Sequence, residues 1–166
     1  MHINPILLFS IVSLGVARDP FDSTNSPNRS EVEGIRPDSY CPSRDANVEY
    51  QREIFARFVQ TLYGERNVSE AFSTYVDPDL IEHDPFDQSR DDVVARLSQI
   101  IPDSTFTVVH SSFESDTGLV HLRLGDEDAE PVALADIYRM DGTCIVEHWD
   151  VLQTRPENST NPIAMF

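Results

Sequence analysis

The spacing of apolar positions changes character halfway along the chain. In "NVEYQREIFARFVQTLYG", Val48, Tyr50 or Gln51, Ile54, Phe55, Phe58, Val59 and Leu62 recur at helical spacing, with Asn47 as N-cap and Gly64 as stop. "SEAFSTYV" predicts a second, short helix from Ser69, broken at Asp77-Pro78. "DLIEHDPFD" is a short apolar piece running into Asp and Pro. "SRDDVVARLSQIIPD" predicts a third helix, with Val93, Val94, Leu97, Ile100 and Ile101 on one face and Pro102 just beyond. From there the period is two. "STFTVVHSSFES", "GLVHLRLG", "PVALADIYRM" and "TCIVEHWDVLQ" read as four strands, with turn signals at Asp116-Thr117-Gly118 and Asp141-Gly142. Helices followed by a run of antiparallel strands predict an α+β domain with helices on one face of a bent sheet.

The residues ahead of this domain read differently. Ile6 to Ala17 is apolar but too short to span a bilayer, and it ends in the small-x-small step Gly15-Val16-Ala17. The expectation is a signal peptide over residues 1–17, cleaved after Ala17, and a secreted product. Residues 18–45 are rich in Ser, Asn, Asp and Pro and predict a flexible leader, with the domain proper over 46–166. Sequons at Asn28, Asn67 and Asn158 fit a secreted glycoprotein. Cys41 and Cys144, the only cysteines, are free to pair in an oxidising compartment or to remain thiols.

Charge narrows the function. The formal net charge is −17, and all twelve basic residues are Arg. Such a surface repels phosphate backbones and anionic membranes, so neither nucleic acid nor, once the signal is cleaved, a membrane is an expected partner. Without Lys there is no Schiff-base amine.

The strand "IVEHWDV" packs Glu147, His148 and Asp150 around the single tryptophan, Trp149. A tight turn at Asp141-Gly142 would set Asp136 opposite Glu147, on one face with Tyr138 and Trp149. His148 and Asp150 would then lie on the other face with Arg139, as surface or subunit-contact groups. Opposed side chains lie about 4.5–5.5 Å apart at Cβ, so the pair Asp136–Glu147 should hold one raised pKa, as a general acid or base requires. His83, between Glu82 and Asp84, and His121, in "LVHLRL", are further candidates. With Asp136 they would also form a two-histidine, one-carboxylate set. No H-x-x-x-H or C-x-x-C spacing accompanies it, so no metal is expected.

The strings "YVDPDLIEHDPF", "VHLRL" and "ALADIYRMDGTCIVEHWDVLQTRPENSTNPIAMF" resemble the SnoaL-like polyketide cyclases, of the nuclear-transport-factor-2-like superfamily. The resemblance runs from about Asn47 to Phe166 and is most specific from Asp136 to Asn161. It implies three helices against a strongly curved, mostly antiparallel sheet that forms a cone with an internal pocket, and homodimers formed through the sheet. It also implies cofactor-free acid–base chemistry on a small carbonyl or polyketide-like compound, by aldol-type cyclisation or isomerisation. In the roles it implies, Asp136 moves the proton, His121 assists and His83 sits at the pocket mouth. Glu147 would tune Asp136, and Tyr138, Trp149 and Phe86 would line the pocket. A dehydratase of pigment-pathway type, a secreted binding module for a hydrophobic small molecule, and an interaction protein with a filled cone are the alternatives.

Overall fold

The computed structural model describes residues 38–125 and 130–166. The signal segment 1–17, leader residues 18–37 and the Asn28 sequon lie outside the described residues.

The apolar spacing of the first helix, α1 (Val48–Val59), has a physical outcome: Gln51, Ile54, Phe55, Phe58 and Val59 are all buried. Asn47 caps it by accepting from the Tyr50 N–H at 2.9 Å. The ambiguous position resolves to Gln51, whose side-chain amide donates to the Gly142 carbonyl at 2.9 Å. A wide π-helical turn, Gln60–Gly64, extends the helix and buries Leu62 and Tyr63. Helix α2 (Val68–Tyr75) is capped by Asn67 and runs directly into strand β1 (Val76–Glu82). Helix α3 (Arg90–Ile100) starts at Ser89, whose hydroxyl accepts from the Asp92 N–H and donates to the Asp92 carboxylate. Four strands follow: β2 (Phe106–Glu114), β3 (Thr117–Leu124), β4 (Val132–Asp141) and β5 (Cys144–Thr154).

Among the described residues the sheet has five strands in the order β1-β5-β4-β3-β2. The meander β2–β5 is antiparallel, and β1 adds to β5 in parallel. "DLIEH" is thus strand edge, not the isolated apolar piece its length suggested; its partner lies more than sixty residues away. The three helices cover one face of the curved sheet. The core between them is aromatic: Phe55, Phe58, Phe72, Tyr75, Phe113 and Tyr138 are buried, with the rings of Phe58 and Tyr138 4.9 Å apart. Burying such a ring stabilises by roughly 1.5–3 kcal/mol each.

Residues 38–45, expected in the leader, are packed instead. Tyr40 is buried and stacks on Tyr75. Its N–H donates to the Thr74 carbonyl at 2.7 Å, and its own carbonyl accepts from the Thr143 hydroxyl at 2.6 Å. Cys41 and Cys144 form a disulfide, with Cα atoms 5.0 Å apart. The segment straps the β4–β5 turn to α2. Gly142, at φ +49°, is required there, since a Cβ would fall 2.1 Å from the Arg44 carbonyl oxygen. No helix among the described residues is long and apolar enough to cross a membrane.

Candidate active site

Strand pairing decides which side chains meet. The β4–β5 turn is Gly142-Thr143, so Asp141 pairs with Cys144 and Met140 with Ile145. A bulge then skips Val146, and from there Arg139 faces Glu147, Tyr138 faces His148, and Asp136 faces Asp150. Moving the turn alone would preserve the expected faces. The extra residue of the bulge inverts them. This corrects the expected pairing of Asp136 with Glu147: His148 and Asp150 share the inner face with Asp136 and Tyr138.

The inner face opens into a cavity of about 170 Å³ between the sheet and the helices. Its walls are largely apolar and include Phe72, Val93, Leu97, Phe106 and Leu134. Ile100 and Leu152 line it while remaining 41% and 58% exposed, which places its mouth beside them. Its polar end is formed by Tyr63, Arg96, Asp136, Tyr138, His148 and Asp150.

Asp136 is buried at the centre of that end. The Tyr63 hydroxyl donates to its Oδ2, and the Tyr138 hydroxyl lies 3.0 Å from that of Tyr63. The π-helical turn after α1 is what brings Tyr63 here; such turns frequently mark functional sites. Burial, and then the charge of Asp136, push both phenols well above their ordinary pKa. His148 stacks on Tyr138. Its Nδ1 contacts both carboxylate oxygens of Glu82, at 2.9 and 3.0 Å, and the Glu82 side chain is fully buried. Its Nε2 lies 3.7 Å from Asp136 Oδ1 without a hydrogen-bond partner. Burial alone would lower the pKa of this imidazole. The close approach of Asp136, the hydrogen bonds to Glu82 and the charges of both outweigh burial and raise it to about 9. The polar end therefore carries an imidazolium between two carboxylates at neutral pH.

Arg96, from α3, bonds Asp84 at 3.1 Å and Asp87 at 2.5 Å, fixing the loop after β1 against the pocket rim. Burial opposes ionisation of Asp84, but the N–H groups of Phe86 and Asp87 and the Arg96 charge hold its carboxyl below the usual range.

The other sequence-derived candidates lie elsewhere. His121 pairs with Ala135 while its neighbour Val120 pairs with Asp136, so its ring faces outward, stacked between His110 and Phe166. His83 stacks on Trp149 and contacts Glu147 at 2.9 Å, on the outer side of the sheet. Glu147 also accepts from Arg139 Nε at 2.7 Å, and the His83 and Arg139 hydrogen bonds lower its pKa. Phe86 is 83% exposed at a loop tip. Of the seven expected catalytic and substrate-lining residues, the pocket contains Asp136 and Tyr138. Asn67 and Asn158 are both exposed, and Asn67 caps α2. Sequence reasoning missed Tyr63, Glu82, Asp84, Arg96, His148 and Asp150. The i, i+2 spacing of His148 and Asp150 was visible, and only the choice of face was wrong.

Residues 55–148 match the model of the SnoaL-like domain. None of the curated proteins compared with the chain matches it. Among solved structures, a candidate ketosteroid isomerase of Kribbella flavida superposes with a TM-score of 0.57 at 16% identity, covering 70% of this chain and 87% of that one. AclR of Streptomyces galilaeus, a candidate hydroxylase, gives 0.53 at 17% identity, covering 66% and 83%. An NTF2-like protein of Mesorhizobium loti gives 0.53 at 18% identity, covering 66% and 96%. At these identities the likeness is one of fold.

Proposed function

We propose, for a chain that belongs to the SnoaL-like domain family, an acid–base enzyme that moves a proton α to a carbonyl in a small, uncharged, mostly apolar compound. One observation carries this reading: a buried acidic side chain, Asp136, faces an apolar cavity beside His148, whose Nε2 has no hydrogen-bond partner. Asp136 takes the proton. The carbonyl oxygen, as it gains charge, finds the His148 N–H, which Glu82 holds in orientation from behind. The residues present supply base and electrophile without a cofactor. Aldol-type cyclisation and double-bond isomerisation both begin with this step, and the isomerase and hydroxylase names among the fold neighbours accord with a small-molecule pocket.

The cavity constrains the substrate. A buried void of about 150 Å³ holds one benzene ring, so about 170 Å³ takes a single ring. A larger polyketide-like compound would extend through the mouth past Leu152. The carboxylates at the polar end favour a neutral substrate over an anion.

The test is turnover by purified protein given a metabolite extract of the producing organism, read by mass spectrometry. Wild type should convert a compound that Asp136→Asn converts at least about 100-fold more slowly, the usual weight of a positioned base. A compound retained unchanged by both proteins would instead make the pocket a binding site without chemistry.

Secretion with cleavage after Ala17, and glycosylation at Asn67 and Asn158, belong to the same reading. The disulfide supports it, because such bonds persist in oxidising compartments. The same reading includes homodimerisation through the outer sheet face, where Ile81, Leu119 and Val151 are exposed. Sedimentation velocity should show a dimer that Val151→Glu dissociates; a monomeric wild type would refute the dimer.

A further inference from the structure

The reaction above uses one pocket carboxyl, yet the polar end holds two. Asp136 and Asp150 are direct partners across β4 and β5, and both line the cavity. Their surroundings differ in kind. Asp136 accepts from the Tyr63 hydroxyl and has His148 Nε2 3.7 Å away. Asp150 is met by another carboxyl group, Asp84, whose charge opposes its ionisation. Asp84 is committed as an anion. Its Oδ1 accepts from the N–H groups of Phe86 and Asp87 at 2.6 and 3.1 Å, and its Oδ2 from Arg96 at 3.1 Å. Of two carboxyls sharing a site one has its pKa raised, and with Asp84 so held a proton taken up by the pair goes to Asp150.

We propose that Asp150 is the general acid of the pocket, and that Asp84, anchored by Arg96, is the positioning residue that keeps it loaded. The proposal rests on the acid–base reading of the preceding subsection. The charged groups facing Asp150 are Asp84 from the loop after β1, Arg96 from α3, Asp136 from β4 and His148 from its own strand. Burial first, then the charge and hydrogen bond of Asp84 and the charge of Asp136, raise the Asp150 carboxyl to about 6, with His148 pulling the other way.

The step balances. Asp136 removes the α proton; the C–H electron pair becomes the new C=C bond, and the carbonyl π pair moves onto oxygen beside His148. The O–H bond of Asp150 breaks, and its proton goes to that oxygen or to the carbon where the isomer needs it. Asp136 then holds the proton and Asp150 the charge. Transfer between these cross-strand neighbours restores the starting state.

Two measurements on the full chain test this. The first is a pH titration of side-chain carboxyl carbons by ¹³C NMR, which needs no substrate. Wild type should show a carboxyl titrating near 6 that is lost in Asp150→Asn and moves to lower pH in Asp84→Asn. A titration of Asp150 at the ordinary aspartate value of about 3.9 overturns the proposal. The second follows deuterium uptake at the α carbon of cyclohex-2-enone in D₂O. Wild-type exchange should decline above pH about 6, and Asp150→Asn should slow it about 100-fold. Asp84→Asn should move the alkaline limb to lower pH, which a merely structural role would not do. Exchange at the wild-type rate in Asp150→Asn, but lost in Asp136→Asn, overturns the acid assignment and leaves the base standing. No exchange by any of the proteins counts against both.

Discussion

Conformational stability should fall by about 3 kcal/mol between pH 6.5 and 9, at roughly 1.4 kcal/mol per pH unit. The cause is His148, whose pKa rises from 6.5 to about 9 on folding. A raised pKa means that the folded state holds its proton more tightly than the unfolded chain does. The stabilisation is therefore fully present below 6.5, where both states are protonated, and is lost as pH climbs through 9. Above that value a neutral ring would stand between Asp136 and Glu82, and the two buried carboxylates would lose their shared counter-charge. Asp150 adds to the decline only at the acid edge of this window, since it titrates near 6. Tyr63 and Tyr138 are pushed beyond its alkaline edge. Urea denaturation at pH 6, 7.5 and 9 measures the slope. In His148→Gln the slope should vanish. At pH 6 the variant should also be about 3–5 kcal/mol less stable, the usual cost of leaving a buried charge unpaired. A wild-type curve that is flat over this window would show that the ring is neutral in the fold, and the electrophile assigned to His148 would go with it.

The same histidine shows what was legible in the sequence and what was not. Periodicity located the three helices and the four antiparallel strands, because each buries one regular face: Ile54, Phe55 and Phe58 inward on α1, Val120 and Leu122 inward on β3. Asp136 and Tyr138 were legible as inward residues for the same reason. The failure lay in a single residue. Val146 is skipped in the β4–β5 ladder, and because strand side chains alternate, one skipped residue sends Glu147 and Trp149 out and brings His148 and Asp150 in. Nothing local announces that bulge: "CIVEHWD" alternates equally well in either frame. The parallel pairing of β1 with β5, which delivers Glu82 to His148, is a long-range contact with no signature in the short run "DLIEH". Tyr63 was hidden because it lies past the last regular turn of α1, where helical spacing no longer says which way a side chain points.

Loss of the Cys41–Cys144 bond should lower stability by about 4 kcal/mol. The bridge joins residues 103 apart in sequence, and closing a loop of about 100 residues restricts the unfolded chain by about 4.7 kcal/mol in the chain-entropy model. At the 2–4 °C per kcal/mol typical of a chain of this size, the melting temperature should drop by roughly 8–16 °C. The clean variant is Cys41→Ala/Cys144→Ala, because alanine leaves no polar atom at the buried Cys144 site. An unchanged melting temperature would mean that the strap's other ties hold the turn alone: the Tyr40–Tyr75 stack, the Thr143 hydroxyl on the Tyr40 carbonyl, and the Thr143 N–H on the Arg44 carbonyl. The variant also separates two accounts of the active site. The disulfide clamps β5 at Cys144, two residues from the skipped Val146, so the inward placement of His148 depends either on the strap or on the strands themselves. The strands contribute the buried Met140–Ile145 pair before the bulge and the Tyr138–His148 stack after it. If they suffice, the alanine variant should melt earlier yet keep the full stability slope between pH 6.5 and 9. If the strap is needed, the slope should shrink along with the melting temperature, because a slipped β5 would take the imidazolium away from Glu82 and Asp136. The apolar Met140–Ile145 pair would remain buried only in the observed register, so the first outcome is the expected one.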